Sequence, residues 1–136
     1  MSTLGTVLVV DDDDSIVWVL ARLMRHLGYD VVTALRGQEA LDEVAQRNTT
    51  LVCVLMDILM PGADGISVAK QIHNLQPDLP IILMGGSLAP SQQQELAEQY
   101  GGFIPKPFSI PELSAMLKQV LGMRREPAPL AQAVSA

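Results

Sequence analysis

The chain is expected to adopt an α/β fold: a single five-stranded parallel sheet with five helices, carried by three observations. Five short apolar runs alternate with five helix-period patterns along the sequence. The runs are continuously rather than alternately apolar, as strands buried on both faces of a parallel sheet must be. A glycine, proline or capping residue punctuates most of the junctions.

Taken in order, the first strand is expected at residues 5–10, where Thr6-Val7-Leu8-Val9-Val10 runs into four consecutive aspartates, Asp11 to Asp14. Ile16, Val19, Leu20, Leu23 and Leu27 then recur at helical spacing, and Gly28 supplies the left-handed stop. Within this helix Asp14 is a suitable N-cap by residue type, and Trp18 is read as partial core. A second strand is expected at 30–35 and a second, weaker helical stripe at Leu41, Val44 and Ala45. The third strand, 51–56, leads into Asp57. The third helix carries Ile66, Ala69, Ile72 and Leu75 and stops before Pro77, with Asp64 as its cap. A fourth strand at 80–85 precedes a mostly polar helix at 90–100, where only Leu96 and Ala97 are clear anchors, so this helix is expected to be the most mobile. The fifth strand, 102–105, is followed by a Ser109/Glu112 capping box and a stripe of Ile110, Leu113, Leu117, Val120 and Leu121. Residues 1–122 are thus expected to form the domain. Residues 123–136, with two prolines and no sustained apolar period, are expected to be a disordered tail or linker stub.

Composition bounds the function. At 136 residues the chain is long enough for a real core without disulfides. The single cysteine, Cys53, sits inside an apolar run and reads as a small buried hydrophobe. No apolar run approaches the roughly 20 residues of a membrane span, and no basic leader precedes one, so a cytoplasmic protein is expected. A net charge of −6 argues against direct nucleic-acid binding by this domain.

The aspartate run divides in two. Adjacent carboxylates repel and raise one another's pKa unless a cation intervenes. Asp13 and Asp14 are accounted for by a helix N-terminus, whose dipole favours anions. Asp11 and Asp12 follow a continuous strand. Ligands of an open parallel sheet bind beyond the carboxyl ends of its strands. That rule brings Asp11, Asp12, Asp57 and Lys106 to one edge although they lie far apart in the chain. Three acids with one lysine suit a divalent cation plus a phosphoryl group, and Mg2+ is typically held by one or two carboxylates while keeping several waters. His26 and His73 have no metal-ligand company and are expected at the surface or its boundary. Met60 is expected to pack, and Pro61, Gly62 and Gly65 to shape the turn after Asp57.

The segments VLVVDDDDSI at 7–16, VLMDILMPGADG at 54–65, LPIILMGGS at 79–87 and FIPKPF at 103–108 resemble the receiver domain of bacterial two-component response regulators. This group includes the chemotaxis regulator and the nitrogen-regulation activators. The resemblance spans residues 5–122 and implies a doubly wound, flavodoxin-like sheet of order 2-1-3-4-5. It implies Asp57 as phosphoacceptor, taking a phosphoryl group from the phosphohistidine of a sensor kinase or phosphotransfer protein. It also implies Mg2+ held by Asp11, Asp12, Asp57 and the backbone carbonyl of Leu59, with Lys106 on a phosphoryl oxygen. A phosphorylation-controlled surface around the fourth and fifth helices would then be read by a downstream protein or an output domain, or used for homodimerisation. Lys106-Pro107 is a candidate cis bond.

The chain departs from the family at its switch. Where receivers place Ser or Thr at the end of the fourth strand, this sequence has Gly85; Ser87 lies two residues on, and the aromatic switch position is Phe103, without a phenol. Leu59 stands where many members are polar, and is expected to shield an acyl phosphate from water. Two other functions remain open on the sequence. One is a degenerate receiver acting as a constitutive docking or dimerisation module, which Gly85 favours. The other is an Mg2+-dependent aspartyl-phosphate hydrolase, which the apolar Leu59 disfavours. The receiver itself is expected not to be an enzyme beyond transfer to and from its own aspartate.

Overall fold

A computed structural model describes residues 4–47, 50–60 and 63–124. The elements follow in the order β1 (Thr6–Val10), α1 (Asp14–His26), β2 (Asp30–Ala34), α2 (Gly37–Gln46), β3 (Leu51–Asp57), β4 (Leu59–Met60), β5 (Ala63–Asp64), α3 (Gly65–Leu75), β6 (Ile81–Gly85), α4 (Pro90–Tyr100), β7 (Gly101–Pro105) and α5 (Ile110–Arg124). The main sheet runs β2-β1-β3-β6-β7, all parallel. Counting only those five strands, this is the 2-1-3-4-5 order expected. β4 and β5 form a small antiparallel pair where only turn chemistry was expected. The expected roles of Pro61 and Gly62 lie outside the described residues, as does everything beyond Arg124, two residues past the expected domain boundary.

Strand side chains alternate between two cores, which is why the strand runs had to be continuously apolar. Leu8, Val10, Val54, Met56, Ile81 and Leu83 face α2, α3 and α4. Val7, Val9, Cys53, Leu55, Ile82 and Met84 face α1 and α5, together with Leu20, Met24, Leu113 and Leu117. Cys53 is fully buried, as expected.

The helix faces depart further from expectation than the strands do. In α1 the buried residues are Val17, Leu20, Ala21 and Met24, whereas Val19 is exposed and Trp18, expected as partial core, is 60% exposed. Packing beneath Val9 and Leu55 selects the Val17–Met24 side of the helix, which turns Trp18 outward. In α2, Ala40 rather than Ala45 is buried, and in α3 Val68 is buried while Leu75 is exposed. Ile110, at the first residue of α5, is 55% exposed. Tyr100 gives α4 a buried anchor at its C-terminal end, against the edge of His73. Gly28 closes α1 with a positive φ of 103°, its N–H donating to Arg25 O at 3.0 Å. The Ser109/Glu112 capping box forms in both directions, at 2.7 and 3.2 Å.

Candidate functional site

Three strand ends and one loop build the site. β1 ends at Val10 and delivers Asp11, whose N–H donates to Ala34 O of β2 at 3.2 Å. β3 extends one residue further than its apolar run and carries Asp57 as its last residue. Lys106 follows β7, anchored by its N–H on Gly85 O at 2.7 Å, and the bond to Pro107 is cis.

Asp11 and Asp57 are buried, at 1% and 6% exposure, and Asp12 is exposed at the mouth. Carboxylate oxygens of Asp11, Asp12 and Asp57 lie within 4.8 Å of one another. The Lys106 ammonium stands 3.4 Å from Asp11 Oδ2 and 3.4 Å from Asp57 Oδ2, bridging the two buried acids. Three carboxylates against one ammonium leave two negative charges partly buried. The set therefore fits a hard divalent cation, and the oxygen-only donors and solvent-facing Asp12 suit Mg2+ with its retained waters.

The second oxygens are also held. Asp57 Oδ1 accepts from the Leu59 N–H at 3.2 Å, and Asp11 Oδ1 accepts from the Asp13 N–H at 3.0 Å. Asp13 rather than Asp14 is the N-cap of α1: its Oδ1 accepts from Ser15 N at 2.9 Å, and Asp14 is already helical. The Asp11 bond fixes Asp13 in an extended conformation, so the helix begins one residue earlier than residue type alone suggested. Asp13 is the contributor to the site that sequence reasoning missed. Neighbouring aspartates are equally good caps, and only the tertiary position of Asp11 separates them. Asp64 caps α3 as expected, through Ile66 N at 3.1 Å.

Burial, above all, raises the Asp11 carboxyl above its ordinary value of 3.8; the Asp13 N–H lowers it, the neighbouring Asp57 raises it, and Lys106 lowers it. A raised folded-state pKa means that ionised Asp11 costs stability. That cost is absent below the unfolded value and grows as pH rises through the raised one. In the absence of metal at neutral pH, Asp11→Asn is accordingly expected to melt higher than the parent, with the gap closing as pH falls toward 3.8. Mg2+ should stabilise the parent and act much less on the variant. Thermal melts with EDTA or Mg2+ at several pH values check both signs.

The residues expected at the switch lie at and just beyond the end of β6 and within β7. Gly85 is buried at the end of β6, and a β-carbon built on it would come within 2.6 Å of Ile58 Cγ1 and 2.7 Å of Ile58 Cδ1. Ile58 thus occupies the space a larger side chain would take. Ser87 is exposed, with a left-handed φ of 60°, so its hydroxyl does not fold inward to replace the missing one. Phe103 is 6% exposed and packs in the α2-α3-α4 core. Leu59, by contrast, is 71% exposed beside the acids, and Met60 is buried as expected.

An acidic cluster whose two buried members are bridged by a lysine thus stands at the carboxyl edge of a 2-1-3-4-5 parallel sheet. The model of the response regulator receiver domain matches residues 7–118, and the chain belongs to that family, a regulatory family of two-component signalling. The chain is 38% identical over 126 residues to the DNA-binding transcriptional regulator NtrC of Escherichia coli (strain K12), covering 90% of this chain and 26% of NtrC. It is 36% identical over 122 residues to the response regulator MprA of Mycobacterium sp. (strain KMS), covering 85% of this chain and 50% of MprA. The chain thus spans between a quarter and half the length of these curated relatives. Among solved structures, Vibrio cholerae chemotaxis protein CheY4 superposes with a TM-score of 0.76 at 29% identity, over 86% of this chain and 98% of that one. The receiver domain of the hybrid histidine kinase CckA gives 0.72 at 31%, over 86% and 99%. Among the described residues no helix is long and apolar enough to cross a membrane.

Proposed function

We propose that this chain is a phosphoacceptor receiver. Asp57 takes a phosphoryl group from the phosphohistidine of a sensor kinase or phosphotransfer protein, and the change in charge is read by a downstream protein or output domain in the cytoplasm. The observation that carries this reading is the Lys106 ammonium, equidistant from the two buried carboxylates Asp11 and Asp57.

A carboxylate oxygen of Asp57 attacks phosphorus as the N–P bond to the donor histidine breaks, so the histidine leaves with the electron pair of that bond. Such a transfer requires positioning and neutralisation of oxygen charge more than covalent help. The Leu59 N–H holds one Asp57 oxygen, which orients the carboxylate. Lys106 lies within reach of the entering phosphoryl oxygens and exchanges its carboxylate contact for one of them. Mg2+, held by Asp11, Asp12, Asp57 and the Leu59 carbonyl, would neutralise phosphoryl charge and relieve the crowding of acids. Leu59, exposed beside Asp57, limits water access to the acyl phosphate. Treatment with acetyl phosphate and Mg2+ followed by intact mass tests the reading. The parent is expected to gain one phosphoryl group and Asp57→Ala none; equal uptake by both would refute it.

The contact between Gly85 and Ile58 favours a modified output. With no hydroxyl at residue 85 and Ile58 filling the space, phosphorylation couples to α4 more weakly than in receivers with Ser or Thr there. Backbone NMR is expected to show phosphorylation shifts concentrated around 57–59 and 106, with small ones over 90–100. Large shifts throughout α4 would contradict weak coupling without touching the chemistry at Asp57.

A further inference from the structure

We propose that Ile58 is a positioning residue for Asp57, seated over Gly85 so that the two residues as a pair set the direction of the phosphoacceptor carboxylate. The proposal rests on the reading of Asp57 as phosphoacceptor. The register of β3 on β6 ends with Asp57 opposite Met84, and Ile58 and Gly85 stand one residue beyond it. Ile58 has left the strand, yet it is only 6% exposed and belongs to the core shared with α2, α3 and α4.

Its backbone is fixed on two sides. The Ile58 N–H donates to Met84 O at 3.0 Å, and its carbonyl accepts from the Gly65 N–H at 3.1 Å. The side chain makes the third contact. A β-carbon at residue 85 would lie 2.6 Å from Ile58 Cγ1 and 2.7 Å from Cδ1, but 3.9 Å from Phe103 Cε1. Ile58, and not the aromatic ring, therefore occupies the space above Gly85. Branching at Cβ leaves isoleucine few rotamers, and burial closes solvent to it as an escape.

These contacts bear on the chemistry because the hydrogen bond that orients Asp57 spans Ile58. Asp57 Oδ1 accepts from the Leu59 N–H at 3.2 Å, so a rotation of the Ile58 backbone separates donor from acceptor. Phosphoryl transfer depends on the alignment of the attacking oxygen, and a displacement of about 1 Å can cost about a hundredfold. A side chain at residue 85 would push Ile58 off its seat and so act on Asp57 from the neighbouring strand. A truncated Ile58 would free the same turn. Each defect is the remedy for the other, since Ile58→Ala opens room that Gly85→Ala partly fills.

A double-mutant cycle on the full chain tests the pair by three readouts. These are thermal melts by circular dichroism, uptake from acetyl phosphate and Mg2+ by intact mass at a temperature where each variant is folded, and hydrogen exchange of the Leu59 amide by NMR. Gly85→Ala alone is expected to lower Tm by about 5 °C and to slow uptake about tenfold. Ile58→Ala alone is expected to slow uptake about tenfold and to speed Leu59 exchange by about the same factor. In the Ile58→Ala background Gly85→Ala is expected to reverse its sign, raising Tm and recovering uptake and amide protection about threefold or more. Ile58→Val, which loses only Cδ1, is expected to stay within about twofold of the parent in uptake and to soften the effect of Gly85→Ala. That variant completes the cycle if Ile58→Ala does not fold. Additive substitutions overturn the proposal. So does a cycle in which only Tm moves, since Ile58 would then fill the core without directing Asp57. A parent that takes up no phosphoryl group while Leu59 exchange still follows the cycle would overturn the phosphoacceptor reading and leave the pair in place.

Discussion

Lys106→Met is expected to slow phosphoryl uptake from acetyl phosphate by about a hundred- to a thousandfold, the cost typical of losing one donor to a developing oxyanion. The same substitution is expected to tighten Mg2+ binding. The two effects have opposite signs because the ammonium plays two parts. In the resting protein it neutralises part of the charge on Asp11 and Asp57, at 3.4 Å from each, and so competes with a cation for the same oxygens. During transfer it supplies positive charge to the phosphoryl group. Methionine keeps the length of the stem and removes the charge. Fluorescence or calorimetric titration with Mg2+ beside the uptake rate separates this outcome from simple loss of structure, which would weaken both. An unchanged rate would remove Lys106 from the chemistry.

Among the described glycines, Gly65→Ala is expected to be the most damaging methyl addition. A β-carbon there would collide with Ile58 Cα and the Asp57 carbonyl, and neither backbone atom can rotate away as a side chain could. The first residue of α3 therefore touches the end of β3, and the Gly65 N–H donates to Ile58 O at 3.1 Å. Overpacking typically costs about 1–3 kcal/mol, and an obstacle made of backbone belongs at the upper end. For a domain of this size that is a fall of roughly 10 °C in Tm. Because the displaced atoms belong to Asp57 and its neighbour, phosphoryl uptake should fall as well, even at temperatures where the variant is folded. Circular dichroism melts and uptake rates on the same preparation read both. A variant as stable as the parent would show that α3 does not press on the site.

The sheet was legible in the sequence because strands buried on both faces must be apolar at every position, and Val7 to Val10, Cys53 to Met56 and Ile81 to Met84 are. The acids and Lys106 were legible for a related reason. Each lies at a strand end, and a parallel sheet gathers its strand ends at one edge. The helix faces were read less well. In α1, apolar residues surround much of the helix, so periodicity alone could not tell Val17 from Val19, or place Trp18 outside. The choice between Asp13 and Asp14 as cap depends on a hydrogen bond to Asp11, and residue type carries no trace of it. The departure at Gly85 was visible, but its cause was not. Ile58 and Gly85 are brought together only by the pairing of β3 with β6, a contact between residues distant in the chain. The β4 and β5 pair was read as a turn because two-residue strands carry no period.

The most direct measurement is the position of the phosphoryl group itself. After treatment with acetyl phosphate and Mg2+, reduction with borohydride converts an aspartyl phosphate to homoserine, which peptide mass spectrometry can place. Homoserine at position 57, lost when Mg2+ is chelated and much reduced in Lys106→Met, is the expected result. Reduction at another aspartate, or at none while the parent still gains mass, would contradict Asp57 as the phosphoacceptor.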